Sequence, residues 1–206
     1  YTNVYHRDSA YEDGQYFLPE DWAALLLQGC RELCREHPDV QVNAVSAAGA
    51  RQSFVLLDGN GRAFLGLPNI DNRGRAYMAQ VPEHDEIYRL SGKWATEDFG
   101  AAKLLGLRMQ HPEQYEAVES VLSLSEWIAW IFTGRKVMEY TQACESQLYD
   151  IGPRSWSQTL CSFYGLRPEF LPPLQAAGTA VGPILDTYRR ELGMAKDAVF
   201  VLGGAD

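Results

Sequence analysis

The apolar run AVFVL at 198–202 leads straight into Gly203-Gly204-Ala205-Asp206. Unbroken apolarity over so short a stretch reads as a strand covered on both faces, as in a sheet packed between helices. Asp206 then stands at the carboxyl end of a buried strand, where open α/β sheets place their ligands. The glycines permit close approach, and a carboxylate there can accept a proton from a substrate hydroxyl. A plain turn aspartate fits the same residues.

The remaining sequence supplies helices and strands for such a sheet. In GQYFLPEDW at 14–22, Pro19 sits at a first helical turn, with Glu20 and Asp21 at the positive end of the dipole. Apolar spacing through Trp22, Leu25, Leu26, Cys30, Leu33 and Cys34 carries that helix to Glu36, before His37-Pro38-Asp39 breaks it. VQVNAVS at 40–46 alternates like a strand, and FVLL at 54–57 is a second strand that turns at Asp58-Gly59-Asn60-Gly61. Helices are expected at 98–108, 112–121, 123–132, 153–164 and 186–192. The chain therefore reads as α/β with helices inserted between strands.

Composition narrows the function classes. A net charge of -9 disfavours a sequence-independent grip on nucleic acid or an anionic membrane, so neither is expected as a partner. No stretch approaches the roughly 20 apolar residues of a membrane-spanning helix. Cys30, Cys34, Cys144 and Cys161 are too scattered for a disulfide framework, and no Asn-x-Ser/Thr acceptor is present. A reducing, cytoplasmic setting fits best. His6, His37, His84 and His111 share no spacing, so no metal ligand set is assigned to them.

Two polar segments stand out. In SAAGARQSFVLLD at 46–58, small residues precede Arg51 and Gln52, whose guanidinium and amide suit a polyhydroxylated ligand. In NIDNRGR at 69–75, Asn69, Asp71 and Arg73 alternate, so on an extended backbone they would face one side. Taken alone, simple solvated loops are the commoner reading of both segments.

The order of these segments resembles the N-terminal domain of the FGGY family of carbohydrate kinases, relatives of glycerol kinase and xylulokinase. The resemblance runs in sequence through 14–22, 45–58, NIDNR at 69–73, and SGKWATEDFGAAKL at 91–104 with its Lys103. It continues through 112–134, YTQACESQLYD at 140–150, LPPLQAAGTAVG at 171–182 and AVFVLGGAD at 198–206. It implies an actin-like, ribonuclease-H-like α/β domain spanning 1–206 that binds a sugar or polyol. It also implies ATP and Mg2+ as cofactors, bound mainly elsewhere, and a homodimer as a possible assembly.

By match of motif, Asp206 falls on the family's general base. Arg51 and Gln52 fall on a substrate-binding pair whose second member is usually Glu. Asn69 stands where the glycerol and xylulose enzymes carry Trp, and Asp98 where glycerol kinase has a substrate-facing Tyr, which disfavours glycerol. Asn69, Asp71 and Asp98 join the candidate substrate contacts. A ketose such as a pentulose is the first expectation. The kinase of autoinducer-2 (dihydroxypentanedione) is the second, since AVSA at 44–47 with NIDNR is similar to it. The family's first strands and phosphate loop are expected upstream of Tyr1 and its ATP-binding domain after Asp206, so the chain alone is expected to be inactive. A non-catalytic sugar-binding or sensor module is the alternative of another class.

Overall fold

A computed structural model describes residues 4–206. In chain order the first elements are β1 (His6–Asp8), β2 (Gly14–Tyr16), α1 (Pro19–Glu36), β3 (Ala44–Gly49), β4 (Phe54–Leu57) and β5 (Ala63–Leu67). After a 3-10 turn at Arg75–Gln80 come α2 (His84–Ser91), α3 (Gly100–Gln110), α4 (Pro112–Glu116), β6 (Ser120–Ser123) and α5 (Leu124–Thr133). Then follow β7 (Met138–Glu139), α6 (Tyr140–Cys144), β8 (Tyr149–Asp150), β9 (Ser155–Trp156) and α7 (Gln158–Phe163). The last are β10 (Leu174–Gln175), β11 (Ala180–Pro183), α8 (Asp186–Glu191) and β12 (Val199–Ala205).

Two three-stranded sheets position the site. β4 is central in one, antiparallel to both β5 and β6. β12 is central in the other, parallel to β3 and antiparallel to β11. The turn between β4 and β5 forms as its residues dictate. Asp58 Oδ1 accepts from the amides of Asn60 and Arg62, each at 2.9 Å, and Gly61 takes φ +77°.

Several sequence expectations are corrected. The strand expected at 40–46 begins at Ala44, after a turn at Pro38 and Asp39. The helix expected over 112–121 stops at Glu116. Its β-branched end, Val118 and Val121, turns inward instead, and β6 completes the β4 ladder. The helix expected over 153–164 covers only Gln158–Phe163, since Ser157 caps it by accepting from the Leu160 amide at 3.2 Å. The last strand does not end at the glycines but runs through them to Ala205.

α3 packs under the β4 sheet with every residue from Gly100 to Leu107 buried. α1 differs: of its 18 residues only Pro19 is buried. Its apolar face, with Leu25, Leu26 and Cys30, joins Leu124, Trp127 and Ile128 around an open groove of about 420 Å³.

Candidate functional site

The carboxyl ends of β3 and β12 meet at close range. A Cβ on Gly203 would lie 2.0 Å from the Ala47 carbonyl, and one on Gly49 would lie 2.9 Å from the Ser125 amide. Glycine is required at both positions for the backbones to approach. The register slips between Leu202 and Ala205, so the strand rejoins β3 at Ala205↔Gly49. The Ala205 amide donates to Thr141 Oγ1 at 2.9 Å, and the Thr141 hydroxyl in turn donates to Glu139 at short range. Glu139 also caps α6 through the amides of Thr141 and Gln142. Asp206 thus leaves a strand whose end is tied down.

Asp206 Oδ1 accepts from the Arg51 amide at 3.2 Å, and Arg51 Nε lies 3.7 Å from the same oxygen. Both side chains are 60% exposed, so this pair contributes only about 0–1 kcal/mol and matters for position rather than stability. The strand end and the Arg51-Gln52 loop therefore share one exposed corner.

Behind that corner the loop is pinned. Gln52 adopts φ +60°, the left-handed region that non-glycine residues rarely occupy. Ser53 is buried, and its Oγ accepts from the Asn69 amide at 3.0 Å. Lys103 comes up from α3, fully buried. Its Nζ donates to the carbonyls of Gln52 at 2.9 Å, Pro68 at 2.6 Å and Asn69 at 3.2 Å. Burial pushes this ammonium down to about 8, against the pull of Asp71 and Asp98.

The expectation that Asn69, Asp71 and Arg73 share one face is overturned. The segment is turned rather than extended, which leaves Asn69 exposed while Asp71 and Arg73 are buried. Asp71 Oδ2 accepts from Arg73 Nε at 2.8 Å, and its Oδ1 accepts from the Gln15 amide at 2.8 Å. Burial pushes the Asp71 carboxyl up, and the Arg73 guanidinium opposes the shift. Asp71 thus ties the N-terminal strand β2 to the site from below. Asp98 is exposed and accepts from Thr96 Oγ1 at 3.3 Å.

A polar layer that sequence reading missed lies beneath the corner. Glu126 is fully buried; its Oε2 accepts from Ser123 at short range and from Ser125 at 3.1 Å. Gln142 Nε2 donates to the Gly49 carbonyl at 3.1 Å and to Ser125 Oγ at 3.2 Å. Glu126 Oε1 has no hydrogen-bond partner, and burial pushes this carboxyl up to about 8. A lone Glu in the apolar stretch LSEWIAWIF was the only hint of it.

No group of three or more His, Cys, Asp or Glu among the described residues is placed to hold a metal ion. Among the described residues no helix is long and apolar enough to cross a membrane.

An exposed carboxylate and an arginine thus stand at the carboxyl ends of the parallel strands β3 and β12, where open α/β sheets place their ligands. Residues 8–206 match the N-terminal domain of the FGGY family of carbohydrate kinases, and the chain belongs to that family. It is 39% identical over 203 residues to YoaC of Bacillus subtilis (strain 168), named as a candidate sugar kinase; the match covers 98% of this chain and 42% of YoaC. It is 29% identical over 200 residues to autoinducer-2 kinase of Salmonella choleraesuis, covering 93% of this chain and 37% of that one. The chain thus spans less than half the length of these relatives. The ligand-bound xylulose kinase structure from Lactobacillus acidophilus superposes with a TM-score of 0.88 at 20% identity, covering 98% of this chain and 42% of that one. The fold is accordingly the actin-like, ribonuclease-H-like domain.

Proposed function

We propose that this chain is the sugar-binding domain of an ATP-dependent carbohydrate kinase, with Asp206 as the general base. The observation that carries the reading is the corner where Asp206 meets the Arg51 amide at 3.2 Å, exposed at the carboxyl end of β12. A hydroxyl held there by Arg51, Gln52 and Asn69 gives its proton to the Asp206 carboxylate as its oxygen attacks the terminal phosphorus of ATP, whose bond to the bridging oxygen breaks and leaves ADP. Asp98, exposed ahead of α3, is a further group in this proposal that faces the sugar. ATP and Mg2+ are proposed to be held mainly by the rest of the protein, as membership of the family implies.

A ketose, a pentulose first, is the proposed substrate. Autoinducer-2 is the second reading, supported by the 29% identity to its kinase in Salmonella choleraesuis. The test is ADP release by the full-length protein with ATP and magnesium across ketoses, polyols, aldonates and dihydroxypentanedione. Turnover on a pentulose supports the first reading, and turnover on dihydroxypentanedione alone replaces it with the second. Sugar binding without turnover by a folded protein would overturn the kinase reading in favour of a sensor.

A further inference from the structure

We propose that Lys103 is the positioning residue of the sugar cleft, its buried ammonium fixing the Arg51-Gln52 loop and the Asn69 loop at one separation by gripping main-chain oxygens of both. The proposal rests on the kinase reading for its functional meaning, and on geometry alone for the grip. All three donors of the ammonium go to carbonyls, at 2.6 to 3.2 Å, and none to a carboxylate. The acceptors lie outside the strands: Gln52 between β3 and β4, Pro68 and Asn69 just after β5.

A helix core does not need this arrangement. The neighbours of Lys103 on α3 are Ala101, Ala102, Leu104 and Leu105, and an apolar side chain would fill the same place without carrying a charge out of water. What the charge does is complete three carbonyls that a loop must satisfy somehow, one of them on the left-handed Gln52. The charged groups that act on the ammonium are Asp71, at the base of the Asn69 loop, Asp98, just ahead of α3, and Arg73, which opposes them. When the ammonium loses its proton, two N–H donors remain for three carbonyls, so one loop end is released.

Two measurements test this in the full-length protein. The first compares wild type with Lys103→Met at fixed pH, reading the KM for sugar, the KM for ATP, and amide exchange at 50–53 and 69–71 against 120–123. The KM for sugar is expected to rise about tenfold and exchange at both loops to quicken about tenfold, with the KM for ATP and the 120–123 strand unchanged. The second follows exchange protection of the same loops in wild type from pH 7 to 9.5, corrected for intrinsic rates; protection should fall through about 8.

A folded Lys103→Met with wild-type exchange at both loops overturns the proposal, as does equal weakening everywhere. If the variant does not fold, flat protection across the pH range overturns it. If wild type turns over no sugar, the kinase reading falls alone, and the exchange measurements still decide whether Lys103 holds the two loops.

Discussion

The β4 sheet and the β12 sheet are built from equally apolar strands yet sit in different surroundings. All four residues of β4 are at most 1% exposed, β6 beside it is buried throughout, and α3 closes the layer. Along β3 exposed and half-buried residues alternate up to Gly49, and α1 shows an apolar face to an open groove. Residue type set the strands, whereas topology decided how well each was covered. The corner proposed to bind the sugar lies on the seam: the closed side supplies Ser53 and Lys103, and the open side supplies Asp206.

The largest effect is expected at the seam itself. Asp206→Asn in the full-length protein should lower kcat by about 10²- to 10⁴-fold while sugar affinity stays within a few fold, measured by ADP release and by calorimetry. Comparable turnover would remove Asp206 from the mechanism. On the closed side, Phe54→Ala should cost about 3–5 kcal/mol by urea unfolding, because its ring is 1% exposed and its site cannot refill. Arg51→Ala should raise the KM for sugar about tenfold by deleting a multi-donor contact, and an unchanged KM would displace the loop from the site.

Glu126 gives a smaller, pH-dependent signal. Its carboxyl is held above the ordinary carboxylate range, so its contribution is complete in acid and drains away as pH rises through about 8. Glu126→Gln should therefore flatten the decline in Tm between about pH 5 and 8, and parallel curves for the two proteins would contradict this. The least effect belongs to the open side: Leu33 is 60% exposed, and Leu33→Ala should change stability by no more than about 0.5 kcal/mol. A loss of about 2 kcal/mol or more there would erase the contrast between the two sides.

Much of this was legible before any coordinates. Pro19, Glu20 and Asp21 marked the start of α1, and FVLL and DGNG marked β4 and its turn. The failures share a cause. At 112–121 a helical pattern yielded to the vacant edge of β4, which local spacing cannot reveal. At 69–73, alternation suggested one polar face, but Arg73 and Asp71 satisfy each other in the interior, a pairing that depends on strands near residues 8 and 15. Glu126 and Gln142 gave no periodic signal, because a buried polar layer is defined by partners distant in the chain: Gln142 meets Gly49 93 residues away.

The three oxygens that receive the Lys103 ammonium are peptide oxygens, and every amino acid brings one. Residue 69, and residue 52 among the side chains that tolerate its left-handed backbone, can therefore be rewritten in what they display to a ligand while the fastening beneath them stays the same. Scaffold and lettering are separable here, which makes these two positions the economical place to retune the proposed cleft for a different ligand, by selection or by design.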